Sequence, residues 1–155
     1  MPTISAFRLI GIALPEKTTN DYGRSAVDCG GLWHRFMSED ILSKIPALMS
    51  PEIHAVYHDY DGDHTQPFAF FLGGQVPAGT QATEGLVALD IPAGDYDVVT
   101  AKGVLPGSVM KAWSGIWTSD MPRAYRPDFE VYGEKTMDPE HSEVDIYISV
   151  KRSLI

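Results

Sequence analysis

Hydrophobic and polar positions change period several times along these 155 residues, and each change marks an element. In "AFRLIGIALP" the apolar run ends at Pro15 and a polar stretch to Asn20, which predicts a first strand. In "LWHRFMSEDILSKI", opened by Gly30 and Gly31 and closed by Pro46, the residues Leu32, Trp33, Phe36, Met37, Ile41 and Ile45 recur at helical spacing and predict an amphipathic helix. "EIHAVYHDY" and "PFAFFLGGQV" then read as a hairpin across a polar turn. From residue 86 the order begins again. "LVALDIPAGDYDVVTAKG" gives two strands around the turn at Pro92 to Asp95, and "PGSVMKAWSGIWTSD" sets Val109, Met110, Trp113, Ile116 and Trp117 on one stripe of a second helix, ended by Pro122. "DFEVY" and "SEVDIYISVK" supply a second hairpin.

The chain therefore writes strand, helix, hairpin twice, repeat 1 at about residues 4–77 and repeat 2 at about 86–151, a period too long for a solenoid. Val56 and Tyr57 fall over Val131 and Tyr132 when the hairpins are aligned. The expected fold is α+β, a single domain over 1–155 with pseudo-twofold symmetry. Its sheet is mostly antiparallel, with both helices on one face and a ligand cleft on the other.

Glu130 sits in the middle of a strand, where β-propensity does not favour it. Alternation sets Phe129 and Val131 on one face and Asp128, Glu130 and Tyr132 on the other. In the closing strand Val144, Ile146, Ile148 and Val150 form the row expected under the helices, leaving Asp145, Tyr147 and Ser149 opposite. Glu130 and Tyr147 are then expected together on the uncovered face, with Ala55 at the matching place in repeat 1 and Tyr57 beside it. Two readings of Glu130 stand open. It is a solvated sheet-face acid with a cross-strand partner, or it is the acid at the base of an aromatic cleft. In the second case a carboxylate drawn out of water costs several kcal/mol unless a partner meets it, so the site is set to receive a cation. Tyr and Trp faces add about 0.5–2 kcal/mol per contact.

Composition narrows the field. Hydrophobic residues at 44% and charged residues at 21% describe an ordinary globular domain. A net charge of −9, with no basic cluster longer than Lys151 and Arg152, argues against direct nucleic-acid contact. No apolar stretch is long enough to cross a bilayer and the first residues lack a signal-peptide pattern, so a cytoplasmic protein without a membrane partner is expected. The lone Cys29 makes no intramolecular disulfide. Its place ahead of the glycines suits either a helix-start thiol of lowered pKa or a small residue without a role. "HDYDGDH" is dense in ligating types. As a calcium loop beginning at Asp59 it fails, with His64 where glycine is required and Phe70 where glutamate is required. It reads as a polar turn in which His58 and His64 are weak metal candidates, and neither a metal nor a cofactor is expected. Gly30–Gly31 lacks the lysine and spacing of a phosphate loop.

With "LWHRFM", "PEIHAVYHDYDGDHTQPFAFFLG", "IPAGDYDVVTAKG", "FEVYG" and "DPEHSEVDIYISV" in view, the sequence resembles the GyrI-like effector-binding domain over nearly its whole length. That module also occurs on AraC-type and multidrug-responsive MerR-type regulators, and the chain looks most like the standalone members carried on mobile gene cassettes. The resemblance implies a hydrophobic cleft that accepts bulky, often cationic, aromatic compounds. Glu130 is implied as the acidic determinant and Tyr147 as its companion. Trp33, Phe36, Tyr57, Trp113 and Trp117 are the implied walls, although the helical aromatics fit a core stripe equally well. The chain shows no helix-turn-helix, so a regulatory effect would pass through sequestration of a small molecule or through a protein partner such as a transcription regulator or gyrase. Binding is favoured over catalysis. The enzymatic alternative is a hydrolase of small electrophiles, with Glu130 as general base and Tyr147 orienting or donating a proton.

Overall fold

A computed structural model describes residues 3–151, so Arg152, half of the basic pair, lies outside the described residues. The strands are β1 (Thr3–Ile4), β2 (Phe7–Ala13), β3 (Ile53–His58), β4 (Ala69–Val76), β5 (Val87–Ile91), β6 (Gly94–Gly103), β7 (Asp128–Tyr132) and β8 (Ser142–Ser149). The helices are α1 (Arg24–Ser38), α2 (Ile41–Lys44) and α3 (Gly107–Thr118). Helix α1 starts well before Gly30 and Gly31, which lie inside it rather than opening it. Nor does it run on to Ile45. Asp40 takes a left-handed conformation, φ 50°, and separates α1 from the short α2.

All eight strands form one sheet in the order β1-β6-β8-β7-β3-β4-β2-β5, with every pairing antiparallel. From the centre outward, β3 meets β7, β4 answers β8 and β2 answers β6. The pseudo-twofold axis of the two repeats therefore passes between β3 and β7. The sheet curls into a half-barrel. Phe7 on β2 and Phe129 on β7 lie three strand places apart, yet their ring centroids are 5.4 Å from each other. The concave face closes on Leu9, Val56, Phe71, Ile91, Tyr96 and Phe129. Glycine permits this tight bend where β2 crosses β4. Gly11 pairs with Gly73, and a Cβ on Gly11 would stand 1.9 Å from the Leu72 carbonyl oxygen.

The convex face carries the helices. Helices α1 and α2 cover Ile12, Ala55, Phe70 and Leu72, while Val109, Trp113 and Ile116 of α3 cover Ala101, Val144, Ile146 and Ile148. Both helices thus share one face, as the pattern predicts. The position of Glu130 differs from expectation. Its cross-strand neighbours are Ala55 and Ile146, so it stands in the helix-facing row. The partner of Tyr147 is Phe129, and their rings stack at 4.7 Å on the concave side. A one-residue slip in register exchanges the faces of a strand, and the alternation of β7 and β8 read separately carries no register. The ligand cleft placed on the bare face is corrected accordingly: curling fills that face with its own side chains, and the open space lies between the helices.

Candidate ligand-binding cavity

A mostly apolar cavity of about 380 Å³ opens between α1 and α3 above the centre of the sheet, a volume typical of small-molecule sites. Glu130 forms part of its wall and is 1% exposed. Space for the cavity comes partly from repeat 1, where Ala55 occupies the position equivalent to Glu130 and projects only a methyl group.

The two repeats supply matching halves of the Glu130 environment. Tyr57 of β3 donates its hydroxyl to Oε2 at 3.0 Å, and Tyr132 of β7 donates to Oε1 at 2.8 Å. Each tyrosine then meets a tryptophan from the other repeat. Trp113 of α3 sits edge-on to Tyr57 with centroids 5.1 Å apart, and Trp33 of α1 sits edge-on to Tyr132 at 4.8 Å. Only Trp113 also reaches the carboxylate, its indole Nε1 donating to Oε2 at 2.6 Å. The rings are therefore held by the acid they surround.

Glu130 thus accepts three hydrogen bonds, all from neutral donors, and no lysine, arginine or histidine is paired with it among the described residues. Burial pushes its carboxyl above the ordinary carboxylate range, against the opposing pull of the Trp113, Tyr132 and Tyr57 hydrogen bonds. Burial and the Glu130 charge push Tyr57 and Tyr132 upward as well, which keeps both phenols protonated as donors. A second buried acid, Asp128, lies on the same strand face and is fully matched. Its Oδ2 accepts from Arg123 Nη2 at 2.8 Å and from the Tyr60 hydroxyl, and its Oδ1 accepts from Ser149 N at 2.7 Å and Ser149 Oγ at 2.9 Å. The contrast between the two acids defines the cavity: Asp128 has its cation, and Glu130 does not.

Of the sequence-predicted residues, Glu130, Trp33, Tyr57, Trp113 and Trp117 come together around the cavity. Phe36 does not; it is 1% exposed and packs in the core beneath α1. Tyr147 lies across the sheet and lines no part of the cavity, so its expected place beside Glu130, in binding or in hydrolysis, is corrected. Cys29 faces the cavity from the interior of α1, and burial, with Glu130 and Asp28 nearby, pushes its thiol up to about 12. Of the two readings of Cys29, the helix-start thiol of lowered pKa therefore does not hold. In the polar turn, Lys17 pairs with Asp61 at 2.6 Å, Asp63 accepts from Thr65, and His64 stacks on Trp117 with centroids 5.6 Å apart. Burial lowers the pKa of His58, and no metal-holding group of three ligating side chains occurs among the described residues.

Sequence reasoning missed Tyr132, Tyr60 and Arg123 as cavity residues. The repeat alignment held the signal for Tyr132, which is the counterpart of Tyr57. Arg123 comes from the irregular segment between α3 and β7, where no periodicity exists to point at it.

A family model described as integron-associated effector binding protein, Cass2, matches residues 3–150. The chain belongs to this family. YobU of Bacillus subtilis, named as a transcriptional regulator, is 26% identical over 125 residues, covering 78% of each chain. Transcriptional regulator BrlR of Pseudomonas aeruginosa is 30% identical over 131 residues, covering 78% of this chain but 46% of the regulator. Among solved structures, an integron cassette protein from the mobile metagenome of Vibrio cholerae superposes with a TM-score of 0.71 at 23% identity, over 97% of this chain and 94% of that one. A protein designated SAV2435, bound to tetraphenylphosphonium, superposes with a TM-score of 0.75 at 15% identity, over 97% and 92%. Likeness at these identities shows the fold that this Cass2-family chain shares with them. No helix among the described residues is long and apolar enough to cross a membrane.

Proposed function

We propose that this protein binds amphipathic aromatic cations in the cavity between α1 and α3, with Glu130 as their counter-charge and the tyrosine and tryptophan rings as their walls. The observation that carries the reading is a carboxylate, 1% exposed, held by three neutral donors and, among the described residues, by no cation. Such a group is costly when ionised, and a cation entering the cavity relieves that cost. Arg123 and Asp128 neutralise each other at 2.8 Å, whereas ionised Glu130 has no ion-pair partner among the described residues. Trp33, Tyr57, Trp113 and Trp117 supply ring faces and edges, a surface suited to delocalised charge without strongly hydrated N–H groups. The solved complex of SAV2435 with tetraphenylphosphonium supports the choice of probe.

Titration of the purified protein with tetraphenylphosphonium, followed by tryptophan fluorescence, tests the reading. Saturable quenching in the parent protein, weakened at least tenfold in Glu130→Gln, is the expected result. Equal affinity in both refutes the electrostatic role.

A further inference from the structure

We infer that Gly30 sets the size of the cation the cavity admits, because the bare helix at that point leaves room for one aromatic arm of the ligand. The inference rests on the cation-binding reading of Glu130. Helix α1 gives the cavity Ser25, Ala26, Cys29, Gly30 and Trp33, a stripe at the spacing of one helix face. Four small residues thus precede one large one, whereas α3 brings Met110, Trp113 and Trp117 to its side of the cavity. Gly30 and Gly31 both lie inside α1 and both are exposed. Packing requires neither to be glycine. Neither has a left-handed backbone, and a Cβ on either would meet no neighbouring group within 4 Å, in contrast to Gly11. The two differ in what they face. Gly30 borders the cavity, and Gly31, turned about 100° around the helix, does not. A side chain at position 30 would take up space that belongs to the cavity, and one at position 31 would extend away from it.

The acid fixes where the charge goes, and the rings close two approaches to it. Tyr57 and Trp113 meet Oε2, while Tyr132, backed by Trp33, meets Oε1. The stretch from Ser25 to Gly30 has no ring to offer, so a ligand arm rather than a protein side chain fills the space beside it. A flat cation leaves that space empty, and an unfilled apolar gap forfeits dispersion contacts. A cation with aryl groups disposed around the charge in three dimensions fills it, since glycine lets a ring approach the helix backbone closely. The ligand class that follows is a tetrahedral, aryl-substituted phosphonium or ammonium, with one ring against α1 at Gly30.

The test titrates the full chain with tetraphenylphosphonium and with methyltriphenylphosphonium, which carry the same charge and differ by one ring, following tryptophan fluorescence. The parent protein is compared with Gly30→Leu and Gly31→Leu. In Gly30→Leu the ratio of the two affinities is expected to shift about tenfold toward the smaller cation, the scale of forcing surplus carbon atoms into a filled site. In Gly31→Leu the ratio is expected to keep its parent value. Leucine is the better helix former at both positions, so neither variant is expected to melt below the parent, and a shift confined to position 30 reports the cavity. Gly30→Ala, whose methyl group meets nothing in the fold, is expected to shift the ratio in the same direction and serves if the leucine variant fails to fold. An unchanged ratio in the Gly30 variants overturns the role of Gly30 while leaving Glu130 as the cation site. An equal shift in Gly31→Leu assigns the effect to the helix as a whole and also overturns the inference. Binding of neither phosphonium to the parent removes the reading of Glu130, and the size determinant with it.

Discussion

Replacing Glu130 by glutamine removes the charge while sparing the architecture, because of how its partners are arranged. Trp113 and Tyr57 both donate to Oε2, and an indole N–H only donates, so the amide oxygen of glutamine takes that position. The amide NH₂ then faces Tyr132, whose hydroxyl rotates to accept in place of donating to Oε1. All three contacts survive, and the difference between the two proteins is one negative charge. Two unit charges about 4 Å apart attract by about 4 kcal/mol at an effective dielectric of about 20, and desolvation of the cation offsets part of this. A net loss of about 2–3 kcal/mol, roughly 30- to 150-fold in affinity for tetraphenylphosphonium near pH 7, is expected. The parent protein also gains a pH dependence that the variant lacks. Since the carboxyl of Glu130 is raised by burial and a cation selects its ionised form, affinity falls as pH drops below that raised pKa. The fall approaches about tenfold per pH unit and is flat in Glu130→Gln. Fluorescence titrations across that range measure both effects. A variant that binds as tightly as the parent, or a slope that persists in it, refutes the reasoning.

Further outcomes follow from other contacts. Tyr132→Phe withdraws the donor on Oε1 and moves the onset of cation binding to higher pH, whereas Tyr147→Phe, altered on the far side of the sheet, leaves it in place; the same pH titrations decide between them. Trp113→Phe removes a hydrogen bond to a charged acceptor and is expected to destabilise the fold by about 1.5–3 kcal/mol in urea denaturation. His54 lies buried between Phe7 and Phe129 with Nδ1 unpaired, and burial lowers it to about 4 from 6.5. The unfolded chain takes up that proton first, so this site costs about 3 kcal/mol of stability as pH falls from about 6.5 to about 4. Relief of buried Glu130 by protonation acts in the opposite direction, and the difference in stability between the parent and His54→Leu over that range isolates the histidine. Gly11→Ala drives a methyl group into the Leu72 carbonyl and is expected to lower the melting temperature by more than about 5 °C in a thermal scan.

Periodicity carried the elements and the doubling, because each strand and helix must bury an apolar face whose spacing is written locally. It also singled out Glu130, whose charge is conspicuous inside "FEVY" and which the structure places in the cavity wall. The face was lost because register belongs to pairs of strands. Nothing local distinguishes Glu130 opposite Ile146 from Glu130 opposite Tyr147, although the two arrangements put the acid on opposite sides of the sheet. Closure of the concave face was equally hidden, since it depends on curl at Gly11 and Gly73 rather than on any run of residues. The extent of α1 failed for a different reason: paired glycines read as a helix boundary, but here Arg24 to Cys29 continue the helix and shape one wall of the cavity. The match of Asp128 to Arg123 joins an irregular segment to a strand and leaves no periodic trace.

Under the proposed function, buried Glu130 meets its counter-charge when a cation enters the cavity. Carbon-13 NMR titration of the labelled Glu130 carboxyl, with and without saturating tetraphenylphosphonium, measures that state directly. A pKa above the ordinary glutamate range in the free protein, and a marked downward shift when the cation binds, is the expected result. An ordinary value in the free protein, or one that bound cation leaves unmoved, contradicts it.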